Sequence, residues 1–101
     1  MTRLKIDHGI CGFETTISMT SNPDGTVIAS LDSTCPSIMS LPEDVLTFDP
    51  VMEMTPSATL HEVLIKHLPH RSCLLIPALI KAAEVEAGLA LKKDAHISYI
   101  N

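Results

Sequence analysis

Tryptophan is absent, and Phe13, Phe48 and Tyr99 are the only aromatic residues in a chain of 101. With 46 % of the residues apolar, Leu, Ile, Val, Ala and Met must fill the interior, and residues 1–101 are expected to form a single domain with a modest core. Basic residues are scarce as well: 7 Lys and Arg stand against 12 Asp and Glu, for a formal charge of -5. That sign repels phosphate backbones, and the few cations do not cluster, so nucleic acid is not an expected partner. Long apolar runs are also missing. None reaches the roughly 18 to 20 residues that span a bilayer, and Met1-Thr2-Arg3-Leu4 leads into alternation rather than into the apolar stretch of a signal peptide. A cytoplasmic protein without a membrane partner is the expectation. In that compartment thiols stay reduced, and the three cysteines cannot all pair within one chain, which argues against a disulfide framework.

What the chain does have is a change of hydrophobic period. Leu4 and Ile6 alternate with Arg3, Lys5 and Asp7, and Phe13, Thr15, Ile17 and Met19 alternate with Glu14, Thr16, Ser18 and Thr20. Period two is the mark of half-buried antiparallel strands. Asn22-Pro23-Asp24-Gly25 offers a preset proline φ followed by a glycine able to take positive φ, so the strand ending near Ser21 is predicted to turn back into Thr26 to Asp32.

Beyond Cys35 the pattern becomes helical. Pro36 suits a first helical position, and Pro42 interrupts or restarts the helix by disfavouring helical geometry at Leu41. Phe48 to Met54 shows no period and is read as a connecting loop. Thr59 and Glu62 form a capping-box pattern ahead of Leu60, Val63, Leu64, His67 and Leu68, a run that Pro69 stops. A last helix is predicted from near Cys73 or Pro77 to about Leu89. It would bury Ile76, Leu79, Ile80, Ala83 and Ala87 and turn Lys81, Glu84 and Glu86 outward. Ala95 to Ile100 reads as a short final strand. The fold class is therefore α+β: a small antiparallel sheet, made of a β-hairpin plus flanking strands, with about three helices on one face.

Cys11, Cys35 and Cys73 each fall where one predicted element gives way to the next. Cys35 stands at a helix N-cap, where unpaired backbone N–H groups favour the thiolate, the form that binds metals and attacks electrophiles. It is equally readable as a small hydrophobe filling a strand–helix corner. Cys11 shares the parity of Phe13 and Ile17, which points it to the inner face unless Gly12 breaks the alternation. Cys73 has His70 three residues before it and His67 one turn further back. No Cys-x-x-Cys or His-x-x-x-His pair supplies a local clip, so a metal would have to be gathered from separate segments by the fold. Soft thiolates suit zinc, copper(I) or an iron–sulfur cluster, with a fourth ligand from His70, His67, a carboxylate or water. His8 is a further nitrogen near Cys11, and a solvated surface histidine is its alternative state.

Catalytic patterns are thin. His70 beside Cys73 is the only local thiol–base pairing, and no nucleophile elbow, phosphate-cradling glycine loop or carboxylate pair stands out. Met19, Met52 and Met54 read as gap-fillers rather than as a soft metal surface.

The order Cys11-Gly12, a hairpin through Asp24-Gly25, Cys35 at a strand–helix junction, two helices, then Cys73 before a helix containing Ile80-Lys81-Ala82-Ala83 resembles the U-type iron–sulfur cluster assembly scaffold family over roughly Cys11 to Ala87. The resemblance implies a small antiparallel sheet packed by helices, with three cysteines that assemble iron–sulfur clusters or hold zinc. Phe13 stands where the scaffold has an aspartate two residues after its first cysteine, and Ser72 where it has a histidine before its third. Cys11-Gly12-Phe13, Cys35-Pro36 and Ala87-Gly88-Leu89-Ala90-Leu91 also resemble a small prokaryotic three-cysteine domain family that implies no particular activity. Two functions follow as expectations. One is a non-catalytic metal or iron–sulfur binding module with Cys11, Cys35, Cys73 and His70 as ligands, served by a metal-delivery or acceptor protein. The other is a metal-free structural or protein-interaction domain, dimerising with itself.

Overall fold

The computed structural model describes residues 1–101 and has the predicted α+β architecture. Four antiparallel strands, β1 (Thr2–Asp7), β2 (Glu14–Ser21), β3 (Val27–Ser33) and β4 (Thr47–Phe48), lie side by side in chain order. Helices α1 (Pro36–Met39), α2 (Leu60–Ile65) and α3 (Leu75–Glu86) and three short 3₁₀ turns complete the chain. The register pairs Leu4 with Ile17 and Ile17 with Leu31, and Thr2 with Met19 and Met19 with Ala29. One face of the sheet thus carries Leu4, Ile6, Ile17, Met19, Val27, Ala29 and Leu31, with exposed Ile28 the apolar exception on the other. The other carries Arg3, Lys5, Thr16, Ser18, Ser30 and Asp32, none of them buried. The period-two reading of the first third is correct because each side chain faces either helices or water.

Helix α3 lies across β1 and β2, α1 packs on β3, and α2 packs on α3. Ile17, Met19, Leu64, Leu75, Leu79 and Ala82 lose all contact with solvent between them. Fully burying a large aliphatic side chain stabilises by about 1.5–3 kcal/mol, so this aliphatic layer holds the fold without tryptophan.

Several sequence expectations need correction. Ala95 to Ile100 forms no strand: the residues beyond Ala90 have no regular structure, and Ile97, Tyr99 and Ile100 are at least 82 % exposed. Alternation alone does not make a strand where no partner strand is within reach. The stretch Phe48 to Met54 is not all loop, since β4 pairs with Val27 and Ile28 and Met52–Met54 forms a 3₁₀ turn. Helix α2 starts at Leu60 as expected, but Thr59 provides no side-chain cap. The Glu53 carboxylate accepts the Leu60 N–H at 3.1 Å and the Thr59 N–H at 3.4 Å instead, an acidic group satisfying the first amides from outside the helix.

Glu86 does not face outward. Its carboxylate accepts hydrogen bonds from the Thr2 hydroxyl at 2.8 Å and the Ser21 hydroxyl at 2.9 Å, and the N-terminal ammonium lies 3.5 Å away. These bonds hold its carboxyl below the usual carboxylate range. The C-terminus of α3 is thereby fixed over the start of β1 and the end of β2.

Candidate functional site

That anchorage determines where the cysteines go. A 12-residue helix is about 18 Å long, close to the length of six-residue β1. With its last turn over Thr2 and Ser21, α3 begins over the opposite end of the sheet, where β1 stops at Asp7, β2 starts at Glu14 and β3 stops at Ser33. Cys73 lies two residues before α3, Cys11 lies in the link between β1 and β2, and Cys35 follows β3 by two residues. The fold therefore delivers all three thiols to one end of the sheet.

Each arrives differently. Cys11 closes a 3₁₀ turn, Gly9–Cys11, bounded by Gly9 at φ +77° and Gly12 at φ +74°, left-handed values that favour glycine. The Gly12 N–H donates to the Gly9 carbonyl at 2.9 Å and the His8 N–H to the Phe13 carbonyl at 3.1 Å, so the link is a closed loop. Strand parity, which predicted an inward Cys11, is broken there. Cys11 is exposed, and its Sγ donates to the His8 carbonyl at 3.9 Å. Cys35 is half-buried against the core with extended backbone, and Pro36 opens α1 behind it. It is the N-cap residue, as expected, yet its thiol makes no capping hydrogen bond and α1 is a single turn of four residues. Cys73 is also half-buried against the core, and burial pushes its thiol up. A hydrogen bond from the Leu75 backbone opposes that shift, and like-charge repulsion from Cys35 and then Cys11 adds to it. The three sulfurs thus share an electrostatic neighbourhood.

All three cysteines are free thiols, and no three His, Cys, Asp or Glu side chains stand in an arrangement that would hold one ion. His70 is exposed and contributes its carbonyl, at 3.3 Å from the Cys73 amide nitrogen, rather than its ring; His67 is exposed on the far side of Leu68 in sequence.

A polar chain runs through the same corner. His8 Nε2 lies 2.7 Å from Thr15 Oγ1, which lies 2.8 Å from Ser33 Oγ. Ser33 Oγ donates to the Glu14 carbonyl at 3.2 Å and accepts the Cys35 N–H at 3.0 Å. Thr15 is 1 % exposed, so its hydroxyl needs those partners. Burial holds the His8 imidazole below the usual histidine range, with the Asp7 carboxylate opposing. Sequence reasoning overlooked Thr15 and Ser33. Their signals are a hydroxyl in the inward stripe between Phe13 and Ile17, and a serine two residues ahead of Cys35, the spacing of a side-chain-to-amide turn.

A model described as a family of unknown function, DUF6951, matches residues 2–99. The chain belongs to that family. No curated protein and no solved structure matches it, and nothing in these comparisons links this DUF6951 member to the iron–sulfur scaffold. No helix in it is long and apolar enough to cross a membrane.

Proposed function

We propose that the chain is a small, non-catalytic metal-binding module in which Cys11, Cys35 and Cys73 act as thiolate ligands to zinc or to an iron–sulfur cluster. One observation carries this reading: three cysteines from three separate segments lie at the same end of the sheet, where burial raises the Cys73 thiol pKa and like-charge repulsion from Cys35 and Cys11 adds to that rise. A cation among the three relieves that repulsion and stabilises the thiolates. Zinc–sulfur bonds of about 2.3 Å require the sulfurs to draw together on binding. Cys11, on the short exposed Gly9–Cys11 turn, is the thiol that a metal would have to draw inward. A reducing setting such as the cytoplasm keeps the thiols available.

Metal analysis of protein purified without oxygen tests the reading. Stoichiometric zinc or iron, lost from Cys35→Ser and Cys73→Ser, is expected. Background metal with three freely titratable thiols ends the idea.

A second reading, a self-associating interaction domain, is favoured by a different observation. Leu91, Ile97, Tyr99 and Ile100 are 82 % to 98 % exposed on the unstructured C-terminal segment. β3 has a strand neighbour beyond β2 only at Val27 and Ile28, and a groove of about 540 Å³ lined by Ile28, Leu31, Ile38, Met39 and Leu41 borders the rest of it. The alternating tail of a second copy suits such an edge. Light scattering is expected to show a dimer that becomes a monomer when residues 90–101 are removed. A full-length monomer at high concentration excludes it.

A further inference from the structure

The bonding phase of the β2–β3 ladder decides which groups of β3 point into the groove. The Thr34 N–H donates to the Glu14 carbonyl at 3.0 Å and the Asn22 N–H to the Thr26 carbonyl at 2.8 Å, so both of these couples are hydrogen-bonded pairs. In an antiparallel ladder such pairs recur at every second residue. Between the two ends, Ile28, Ser30 and Asp32 therefore spend their backbone groups on β2, opposite Thr20, Ser18 and Thr16. The N–H and C=O groups of Val27, Ala29, Leu31 and Ser33 turn to the other side. Phe48 of β4 meets Val27 there. Ala29 and Leu31 meet no strand, and no turn, loop or cap bonds to their backbones. Both line the groove, although their side chains belong to the inner face of the sheet. Ala29 is only 6 % exposed, and amides so enclosed are nearly always paired. The groove thus holds a short run of strand edge open to one more strand.

One segment of the chain fits that edge in one register. Ala95 to Ile100 alternates apolar and polar residues and is exposed throughout. Set antiparallel to β3 with Ile97 opposite Leu31, it brings Tyr99 opposite Ala29, a large ring beside a small side chain, and Ala95 opposite Ser33. The residues between them fall on the polar face: His96 opposite Asp32, an imidazole beside a carboxylate, and Ser98 opposite Ser30. A slip of one residue would put Ile97 and Tyr99 on that polar face. A parallel strand with Ile97 kept at Leu31 would give Asp32 a serine in place of the histidine.

The tail cannot make this pairing within its own molecule. The Leu89 N–H donates to the Glu84 carbonyl at 2.8 Å, which ties the chain to the last turn of α3 as far as Leu89. That turn lies over Thr2 and Ser21, at the end of the sheet where β3 begins. Ser33 is at the far end of seven-residue β3. The path to it runs about 20 Å along the strand, about 10 Å across to the outer side of β3 and about 10 Å down from the helix layer, roughly 24 Å in all. The stretch from Leu89 to Ala95 extends to at most about 22 Å. A second copy meets no such limit.

We infer that two copies of this chain exchange their C-terminal segments, residues 95–99 of each adding as an antiparallel strand to residues 29–33 of the other. This rests on the self-association reading above and adds to it the backbone groups that join the copies and the register in which they meet. The exchange is reciprocal, so it closes at two copies.

Two proline variants of the full chain test it, and both fall in the unstructured tail, where neither disturbs the fold. Ile97→Pro removes an N–H that this register spends on Leu31, and Ser98→Pro removes one that faces away from β3. In sedimentation equilibrium, Ile97→Pro is expected to weaken dimerisation about tenfold or more, and Ser98→Pro to leave it within about threefold. In hydrogen exchange followed by NMR at a concentration where the wild type is dimeric, the Ala29 and Leu31 amides are expected to exchange about tenfold or more slowly in the wild type than in Ile97→Pro. The Ser30 and Asp32 amides, already bonded to β2, should exchange alike in the two. Equal loss of dimer from the two prolines, or a greater loss from Ser98→Pro, overturns the register. A wild-type dimer whose Ala29 and Leu31 amides exchange as fast as those of Ile97→Pro overturns the strand addition while self-association stands. A wild-type chain that stays monomeric overturns both.

Discussion

At the end of the sheet formed by Thr2, Ser21 and the β2–β3 turn, polar groups are closed off against one another. Glu86 gathers two hydroxyls and the N-terminal ammonium, and the Asp24 carboxylate accepts the Thr26 N–H and hydroxyl at 3.0 and 2.6 Å. The opposite end, with Cys11, Cys35 and Cys73, leaves its reactive groups uncommitted: free thiols, an unpaired imidazole nitrogen and a loop standing on two left-handed glycines. The same helix, α3, spans both. One end fixes the helix so that the other can present side chains whose bonding is incomplete, a division common in proteins that carry a site.

Cutting the span gives the largest expected effect. Leu79 has no exposure, and Leu79→Ala should cost about 2–5 kcal/mol of stability in urea denaturation and loosen both ends together. Loss of amide protection at only one end would show that the ends are not joined through α3.

Next comes the closed end alone. Glu86→Gln should lower stability by about 1 kcal/mol, with faster hydrogen exchange at Thr2 and Met19 and no change in thiol reactivity. Because folding holds the Glu86 carboxyl below its unfolded value, its contribution is present above pH of about 4.3 and disappears as pH falls through the lower folded value. The variant should therefore show a flatter acid limb than the wild type; parallel limbs would contradict the assigned bonds.

At the open end the sign reverses. Burial raises the Cys73 thiol pKa, so the folded protein holds that proton longer than the unfolded chain, and stability should fall as pH rises above about 8.5. Part of that decline should vanish in Cys73→Ala, and an unaltered alkaline limb would place the cause elsewhere.

The smallest effect belongs to exposed Cys11. Cys11→Ser should change stability by no more than about 0.5 kcal/mol, and in the metal-free wild type a thiol reagent should label Cys11 ahead of half-buried Cys35 and Cys73. A slow Cys11 would mean that the Gly9–Cys11 turn is covered in solution.

The strands, their inward residues and the hairpin were legible in the sequence because each is a local pattern with one physical cause: alternation follows from a sheet covered on one side, and the turn from Pro23 and Gly25. The position of the cysteines at element ends was legible too. That Cys73 joins Cys11 and Cys35 at that end was not, because it depends on how α3 lies on the sheet; the Glu86 that fixes its end bonds to residues 84 and 65 positions away in sequence, and a glutamate on a helix reads as solvated until its partners are known. Thr15 and Ser33 escaped for a related reason. A hydroxyl in an apolar stripe gains its meaning from the cross-strand neighbour, and register is not written in either strand alone. The misread tail shows the converse, a strand-like pattern with nothing beside it.

The first amides of helix α2 donate to Glu53, seven residues before Leu60, so a residue of the preceding loop helps set where the helix starts. Shortening that loop by one residue would leave the α2 sequence untouched and still move its starting point, making the length of an irregular segment as much a determinant of the secondary structure as the residues that coil.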